Sequence, residues 1–293
     1  GHPALMQKSE LEAPAKVVVD ADPAKITARE GVDISPVGSI PAAGAKSAAR
    51  PAPGDLVAAI PAGLPAALRQ AATAGDVNAE FEMGVRMLEG RGAAKDPQAG
   101  AQWLEQAAAR DLPVAQYRLG ALYEKGVGVA RDPQLALSWY GKAAGAGNAR
   151  AMHNLAVMNA EAAAGGKPDY AEAARWFRKA GQFGIRDSQF NLGILYARGM
   201  GVPQDLTQSW IWFSLAAQQG DTDAAKKRDE VAAKMDGQAL VAAAKALAAF
   251  QVATPSPSAN EEIEPTGGWD GKSSAPQANE TPAPAPTRNG TVL

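Results

Sequence analysis

The fold is decided by residues 115–147, which read AQYRLGALYEKGVGVARDPQLALSWYGKAAGAG. The elements Leu-Gly, Gly-x-Gly, Asp-Pro, Trp-aromatic and Ala-Ala recur in part before and after this stretch. The most regular mark is a tryptophan followed by Leu, Tyr or Phe, at Trp103, Trp139, Trp176 and Trp212. These tryptophans are 36, 37 and 36 residues apart. A fixed period of this length indicates stacked copies of one small unit, and it therefore predicts a solenoid.

Each copy is predicted to be two antiparallel helices. In the second copy, Tyr117, Leu119 and Leu122 recur at helical spacing and form one apolar stripe. Gly126-x-Gly128 suits the end of the first helix, because glycine adopts the left-handed conformation of a helix C-cap. Asp132-Pro133 is typical of a helix start, since Asp caps the first amides and Pro fits the first turn.

The third copy departs from this pattern. It carries His153 in the aromatic position and Ala156 in place of glycine, and it lacks Gly-x-Gly. We expect a reshaped or lengthened loop around residues 162–167. His153 is assigned to helix packing or to the groove, because no recognised nucleophile motif accompanies it.

Composition separates the repeat array from two flanks. The flanks are rich in Ala and Pro at one end and in Pro, Ser, Thr and Asn at the other, and they are predicted to be disordered. Gly1-His2 is interpreted as the remnant of a tag. The expected domains are a disordered flank at residues 1–53, an N-terminal capping helix at 54–78, four repeats at 79–114, 115–150, 151–187 and 188–220, a C-terminal capping helix pair at 221–252 and a disordered tail at 253–293.

The composition also excludes several kinds of site. The 293 residues include no cysteine, so disulfides and thiolate metal sites are excluded. The formal net charge of −2 gives no basic footprint for nucleic acid. No segment approaches the ~20 apolar residues of a membrane span. With only His2 and His153 as histidines, we predict no catalytic residue, no metal ligand and no cofactor.

The repeated residues resemble the Sel1-like repeat, a relative of the tetratricopeptide repeat, over residues 79–220. The resemblance implies an all-α fold, a right-handed α-solenoid of antiparallel helix pairs whose first helices line a concave face. Members of this family mostly act as adaptors, scaffolds or regulators, so a non-enzymatic scaffold for protein–protein interaction is expected.

The same resemblance identifies candidate partner-binding residues on the concave face. In related repeats, the residue before the Leu-Gly pair and the residue three positions later point into the groove. Here these positions are Glu82, Arg118, Asn154 and Asn191, followed by Val85, Ala121, Val157 and Ile194. Asparagine amides can both donate to and accept from an extended peptide backbone, and an arginine suits a carboxylate.

A narrower resemblance covers residues 64–270. The Ala-rich helices at residues 224–252, followed by Gly267-Gly268-Trp269, are similar to the end of alphaproteobacterial PodJ-type polar localisation factors. Those proteins carry Sel1-like repeats in a periplasmic part that follows one membrane span. The resemblance implies a periplasmic domain of an inner-membrane protein that recruits or regulates polar cell-envelope machinery, with other envelope proteins as partners.

Two other functions remain open at this point. One is a glycan-binding module that retains a complex at peptidoglycan, which exposed aromatic residues along the groove would favour: Phe81, Tyr117, His153 and Phe190. The other is a periplasmic regulator of a sensor kinase, which cleavage within residues 1–53 would favour. Trp269 is either a short docking motif or idle, and deletion of residues 254–293 is expected to leave the melting transition almost unchanged.

Overall fold

The computed structural model describes residues 53–271. Within this range every regular element is a helix, and no strand occurs, so the predicted all-α class is confirmed. The helices are α1 (Pro53–Ala58), α2 (Ala66–Thr73), α3 (Val77–Glu89), α4 (Pro97–Ala109), α5 (Pro113–Lys125), α6 (Pro133–Gly145), α7 (Ala149–Glu161), α8 (Tyr170–Gln182), α9 (Arg186–Arg198), α10 (Leu206–Gln218), α11 (Thr222–Ala232), α12 (Gly237–Ala249) and α13 (Pro257–Asn260).

Helices α3 to α10 form four consecutive pairs. Each first helix packs against the second helix of its own pair, as α5 packs against α6. Each second helix then packs against the first helix of the next pair, as α6 packs against α7. This chain of contacts between sequence neighbours is the organisation of a solenoid, as the tryptophan period predicts.

The helices begin and end at the predicted signals. Three first helices end at a glycine in the left-handed region, with φ of 78° at Gly90, 72° at Gly126 and 68° at Gly199. Every second helix follows an aspartate whose side chain accepts a hydrogen bond from a first-turn amide. These aspartates are Asp96, Asp132, Asp169 and Asp205.

Tyr140 shows how the two helices of a pair pack. It is fully buried in α6, and its ring lies 2.8 Å from where a Cβ atom on Gly120 of α5 would stand. Glycine at this position therefore lets the two helices approach closely. The Tyr140 hydroxyl donates a hydrogen bond of 2.6 Å to Glu124, which satisfies its polar end. The neighbouring Trp139 is only partly buried, with the ammonium group of Lys142 over its ring.

The third pair has a modified loop where the sequence predicts one. Helix α7 is capped by Ala162, which adopts the left-handed conformation (φ 53°) in place of a glycine. The loop covers residues 162–169, one residue more than the loop 126–132 of the second pair. His153 lies within the helix pair, with its ring centroid 5.7 Å from that of Phe177.

The N-terminal end of the array differs from the prediction. One capping helix is expected at residues 54–78, whereas the structure has α1 and α2 and starts α3 at Val77. The break falls at Pro61 and Pro65, which cannot donate the backbone hydrogen bonds of a continuous helix. At the other end, α11 and α12 both pack on α10.

The C-terminal end differs most from the prediction. The tail at residues 253–293 is expected to be disordered, but in its described part α13 forms and Ala259 and Trp269 are buried. The compositional argument is wrong for residues 253–271, because it considers only the apolar area of the segment itself. This segment instead docks on the folded array. Residues 1–52 and 272–293, also expected to be disordered, lie outside the described residues.

Candidate functional site

The candidate binding residues all lie on α3, α5, α7 and α9, whose shared surface is called the first-helix face. The four apolar candidates are each less than one tenth exposed and belong to cores between helices: Val85, Ala121, Val157 and Ile194. At the position three residues after each polar candidate, the side chain packs between neighbouring helices. In the structure these four residues pack in the cores between helices, and the expectation that they line a groove stays a prediction.

The polar candidates differ from copy to copy. Glu82 and Arg118 are buried beside charged partners. Asn154 is partly buried and lies near enough to Tyr140 that, against the larger effect of burial, it lowers the pKa of the Tyr140 hydroxyl. Asn191 is buried, and its Oδ1 atom has no hydrogen-bond donor in the described structure. A buried acceptor without a donor costs about 1–3 kcal/mol, a cost that a donor on a bound chain would offset.

A segment of the chain itself crosses this face. The C-terminal segment, residues 250–271, leaves α12 at Phe250, whose ring packs edge-on against Trp212 with centroids 5.6 Å apart. The amide of Ala253 donates a hydrogen bond of 2.9 Å to the carbonyl of Gln182 at the end of α8. From there the segment contacts α7, α5 and α3 in turn, opposite to the order of the repeats.

Two asparagines fasten the segment to the start of α7. The Nδ2 group of Asn148 donates a hydrogen bond of 2.6 Å to the carbonyl of Ala259. Asn260 in turn accepts one of 2.8 Å from the amide of Ala149 and donates one of 3.1 Å to the carbonyl of Gly147. The amide at the start of a helix has no partner within the helix, so Asn260 supplies one. The array thereby recognises the backbone of the segment as well as one side chain.

Arginines of α3 and α5 hold the acidic side chains of the segment. Arg118 lies 3.3 Å from Glu262. Arg86 donates two hydrogen bonds, of 2.8 and 3.1 Å, to the two carboxylate oxygens of Asp270. Its Nε atom donates a third, of 2.6 Å, to Glu82 one turn earlier on α3. A bidentate pair between guanidinium and carboxylate combines charge with fixed geometry.

Burial and ion pairing act in opposite directions on the pKa values of this charged cluster. Burial raises the pKa of Glu82 above its usual value, although the hydrogen bond from Arg86 and the charge of Arg91 act in the opposite direction. Burial also disfavours the charged form of Arg86, but hydrogen bonds to Asp270 and Glu82 more than offset it and raise the pKa of the guanidinium. The hydrogen bond to Asp270 is the largest single interaction that favours the charged form of Arg86.

Trp269 anchors the far end of the C-terminal segment. Its side chain is 6% exposed and packs in a hydrophobic cluster that joins the N-terminal helices to the first pair. Six members of this cluster define what is called here the tryptophan pocket: Leu56, Leu64, Leu68, Met83, Met87 and Trp103. A tryptophan side chain buries on the order of 200 Å², so this contact is the largest apolar anchor of the segment.

Sequence reasoning finds Arg118 and misses Arg86, Asn148 and the tryptophan pocket. Arg86 follows Glu82 by one helical turn, so helical spacing could have indicated it. The contact between Asn148 and Ala259 joins residues 111 positions apart, and no local pattern predicts it.

The face offers hydrogen bonding and charge pairing. Within residues 53–271, no three His, Asp or Glu side chains are grouped so that they could hold a metal ion. None of the helices described there has both the length and the apolar character to cross a bilayer.

The Nδ1 atom of His153 lies 2.7 Å from the hydroxyl of Ser188, and burial lowers the pKa of His153 to about 4. This histidine is therefore neutral at pH 7 and has no access to solvent.

Comparison with known protein families identifies the repeats. Residues 77–112, 113–148, 149–182 and 186–221 each match the family model of the Sel1 repeat, and each match starts two residues before the expected start of that repeat. Four consecutive stretches of the chain thus match the Sel1 repeat. Sel1 repeat proteins generally mediate protein–protein interaction, and the fold is typically a non-catalytic scaffold. No curated protein matches the chain.

Two solved structures are similar to this chain. One is a protective antigen present in uropathogenic Escherichia coli strains and displaying an SLR fold, with 32% identity and a TM-score of 0.51. That alignment covers 61% of this chain and 42% of the antigen, so it spans less than half of the antigen's length. The other is a Sel1 repeat protein from Oxalobacter formigenes, with 29% identity and a TM-score of 0.49 over 60% of this chain and 73% of that chain.

Proposed function

We propose that this array of four Sel1 repeats is a non-enzymatic scaffold that holds an extended, acidic segment of a partner protein on its first-helix face. One observation carries the proposal: the face already holds such a segment, residues 250–271 of the same chain. That segment is bound by the means a partner segment would use, which are side-chain amides on the backbone and arginines on carboxylates.

The charges of the face favour an acidic partner segment. Arg118 and Arg86 stand on successive first helices and each pairs with a carboxylate of the C-terminal segment. Hydrogen bonds to charged groups contribute about 1.5–3 kcal/mol each, and a buried guanidinium without a carboxylate is costly. A neutral or basic segment in the same place would leave both arginines without partners from the ligand.

The cellular setting belongs to the same proposal. We propose that the chain is the periplasmic part of a membrane-anchored polar localisation factor and that its partners belong to the cell envelope. The support is the resemblance of residues 64–270 to PodJ-type proteins. A fluorescent fusion that is functional in the periplasm should concentrate at one cell pole in the native bacterium. Uniform peripheral or cytoplasmic fluorescence would contradict this part of the proposal.

The alternative of glycan binding receives no support from the aromatic residues. It expects exposed rings along the groove, but Phe81, Tyr117 and His153 are buried and Phe190 is partly buried. Phe190 packs edge-on against Phe213, at 5.5 Å between centroids, within its own helix pair. The residues whose cleavage would favour a regulator of a sensor kinase lie outside the described part of the chain.

Site-specific photo-crosslinking in the native bacterium tests the proposal. A photoreactive residue at Asn154, on the first-helix face, should give a discrete adduct with another protein. A photoreactive residue at Leu135, which is 41% exposed on the second helix α6, is the matched control and should not give that adduct. Arg118→Ala should reduce the yield at Asn154. Equal adducts at both positions, or material trapped only in the peptidoglycan fraction, would contradict protein binding by this face.

A further inference from the structure

The C-terminal segment is attached at few points. Between residues 251 and 271 only Ala259 and Trp269 are buried, while Val252 is 58% and Ile263 is 48% exposed. The polar contacts are also few: they lie at Ala253, around Asn260, at Glu262 and at Asp270. A segment with so little buried area opens more readily than the helices beneath it. The face therefore carries an element that can leave without unfolding the repeats.

The far anchor has the geometry of a peptide-recognition site. The carbonyl of Pro265 accepts a hydrogen bond of 2.8 Å from the amide of Gly268, which closes a turn just before Trp269. Gly267 and Gly268 have φ of 94° and 68°, values that glycine adopts without strain. After this turn, the indole of Trp269 lies in the tryptophan pocket, and the next side chain, Asp270, accepts hydrogen bonds from Arg86.

Two recognition elements thus stand next to each other on the array. The tryptophan pocket takes an aromatic side chain, and Arg86 takes the carboxylate of the following residue in a bidentate pair. Arg118 adds a third contact with Glu262, seven residues before Trp269. Aromatic and arginine contacts of this kind dominate the energy of protein interfaces.

We propose that the tryptophan pocket and Arg86 form a recognition site for a partner segment with an aromatic residue followed by an acidic residue, and that residues 262–270 are a built-in competitor for this site. The inference rests on the proposed function, because it names the partner chemistry and the regulation of the same face. Partner segments that lack an aromatic residue followed by an acidic residue do not displace the C-terminal segment.

Residues 262–270 compete strongly for the site because they are tethered to the array at a high local concentration. A short flexible linker holds a ligand at a local concentration on the order of 1 mM. For a segment whose free affinity is ~10 µM, the intact chain would therefore bind the same sequence in trans ~100-fold more weakly than a chain with an empty site. Weak or non-specific ligands are excluded, and a partner that binds tightly or at several points is admitted.

Exchange of a synthetic peptide tests the inference. The probe is a fluorescent peptide of residues 250–271, and the proteins are the full wild-type chain and the full-length variants Trp269→Ala and Asp270→Lys. Fluorescence anisotropy should show that both variants bind the probe at least tenfold more tightly than the wild type does. A probe carrying Trp269→Ala should bind none of the proteins measurably. Adding Arg86→Lys to either variant should weaken binding at least fivefold, because lysine keeps the charge but not the bidentate geometry.

The controls separate the possible failures. Circular dichroism establishes that each variant is folded, and Asp270→Lys changes a side chain that is 57% exposed, so it spares the pocket. Equal affinity of wild type and both variants for the probe, or no binding by any of them, would overturn the inference. A concentration-dependent dimer of the variants without probe binding would assign the site to a second copy of the chain and would also overturn it. If probe exchange succeeds while crosslinking from Asn154 finds no protein, only the proposed function fails. If crosslinking from Asn154 finds a protein while probe exchange fails, only this inference fails.

Discussion

At the scale of single residues, His153 shows how one position can keep its place in a repeat while its chemistry changes. The equivalent residues Tyr117 and Phe190 pack against the second helix of their pair, and His153 packs against Phe177 in the same way. The sequence places His153 in the aromatic position of its repeat, which predicts either helix packing or a place in the groove. It does not predict the partner Ser188, whose hydroxyl lies 2.7 Å from the imidazole.

The burial of His153 makes stability depend on pH. Burial lowers the pKa of His153 to about 4, although the negative charge of Asp187 acts in the opposite direction. The unfolded chain binds the proton near pH 6.5 and the folded chain only near 4, so this contribution to stability is complete above pH 6.5 and is lost as the pH falls towards 4. We expect a loss of up to about 3 kcal/mol across this window, relative to His153→Phe.

Urea unfolding of the two proteins at intervals between pH 7 and pH 4 measures the difference. The variant restores the aromatic residue of the other repeats and removes the titrating group, so its free energy of unfolding should fall less over the same range. Parallel pH profiles of the two proteins would mean that the folded chain protonates His153 without cost.

At the scale of helices, the positions of the elements follow from short-range rules that the sequence displays. Aspartates begin the second helices, and left-handed glycines end the first helices at Gly90, Gly126 and Gly199. The N-terminal cap was harder to predict, because two short helices divided by prolines lack the tryptophan mark of the repeats. The order of burial within Trp139-Tyr140 was also not predictable, since either ring could cover Gly120.

The close approach of α5 and α6 gives a prediction about helix packing. A Cβ atom on Gly120 would lie 2.8 Å from the ring of Tyr140, so Gly120→Ala should destabilise the protein by about 1–3 kcal/mol through overpacking. Gly141→Ala in α6 is the matched control, because no atom lies within 4 Å of the added methyl group. It should be neutral or stabilising by up to about 1 kcal/mol, as expected from helix propensity. Denaturant midpoints measure both; a stabilising Gly120→Ala would show that the pair has room for the methyl group.

At the scale of the whole molecule, the C-terminal segment adds contacts between distant parts of the repeat array. In a solenoid each unit contacts only its neighbours. Here residues 250–271 run from α12 back to the tryptophan pocket, so the last helices of the array are tied to the first. The contact between Arg86 and Asp270 joins residues 184 positions apart. Sequence patterns describe neighbours, which is why they predict the repeats but not this return path.

Removal of the segment should therefore lower stability and cooperativity. Deletion of residues 251–293 exposes the tryptophan pocket and leaves Arg86 without Asp270, so the melting temperature should fall and the transition should broaden. Loss of the Trp269 side chain alone should cost up to about 3 kcal/mol, because a ~100-fold docking equilibrium corresponds to about 2.7 kcal/mol and the repeats stay folded when the segment leaves. A shorter deletion, of residues 272–293, keeps every contact described here and is the control. Identical melting curves for the long deletion and the intact chain would restore the expectation of an unattached tail.

The central claim is that residues 250–271 occupy the first-helix face, and residue-resolved hydrogen exchange of the Ala149 amide tests it most directly. Ala149 is the first residue of α7, so its amide has no acceptor within the helix. Its hydrogen bond of 2.8 Å is to the Oδ1 atom of Asn260, in the C-terminal segment. The amide of Ala151, bonded to Asn148 within the array, is the internal control. The account predicts slowed exchange at both amides in the intact chain, and loss of protection at Ala149 alone in Asn260→Ala. Exchange of the Ala149 amide at the rate of an unstructured peptide in the intact chain, or unchanged protection in the variant, would contradict it.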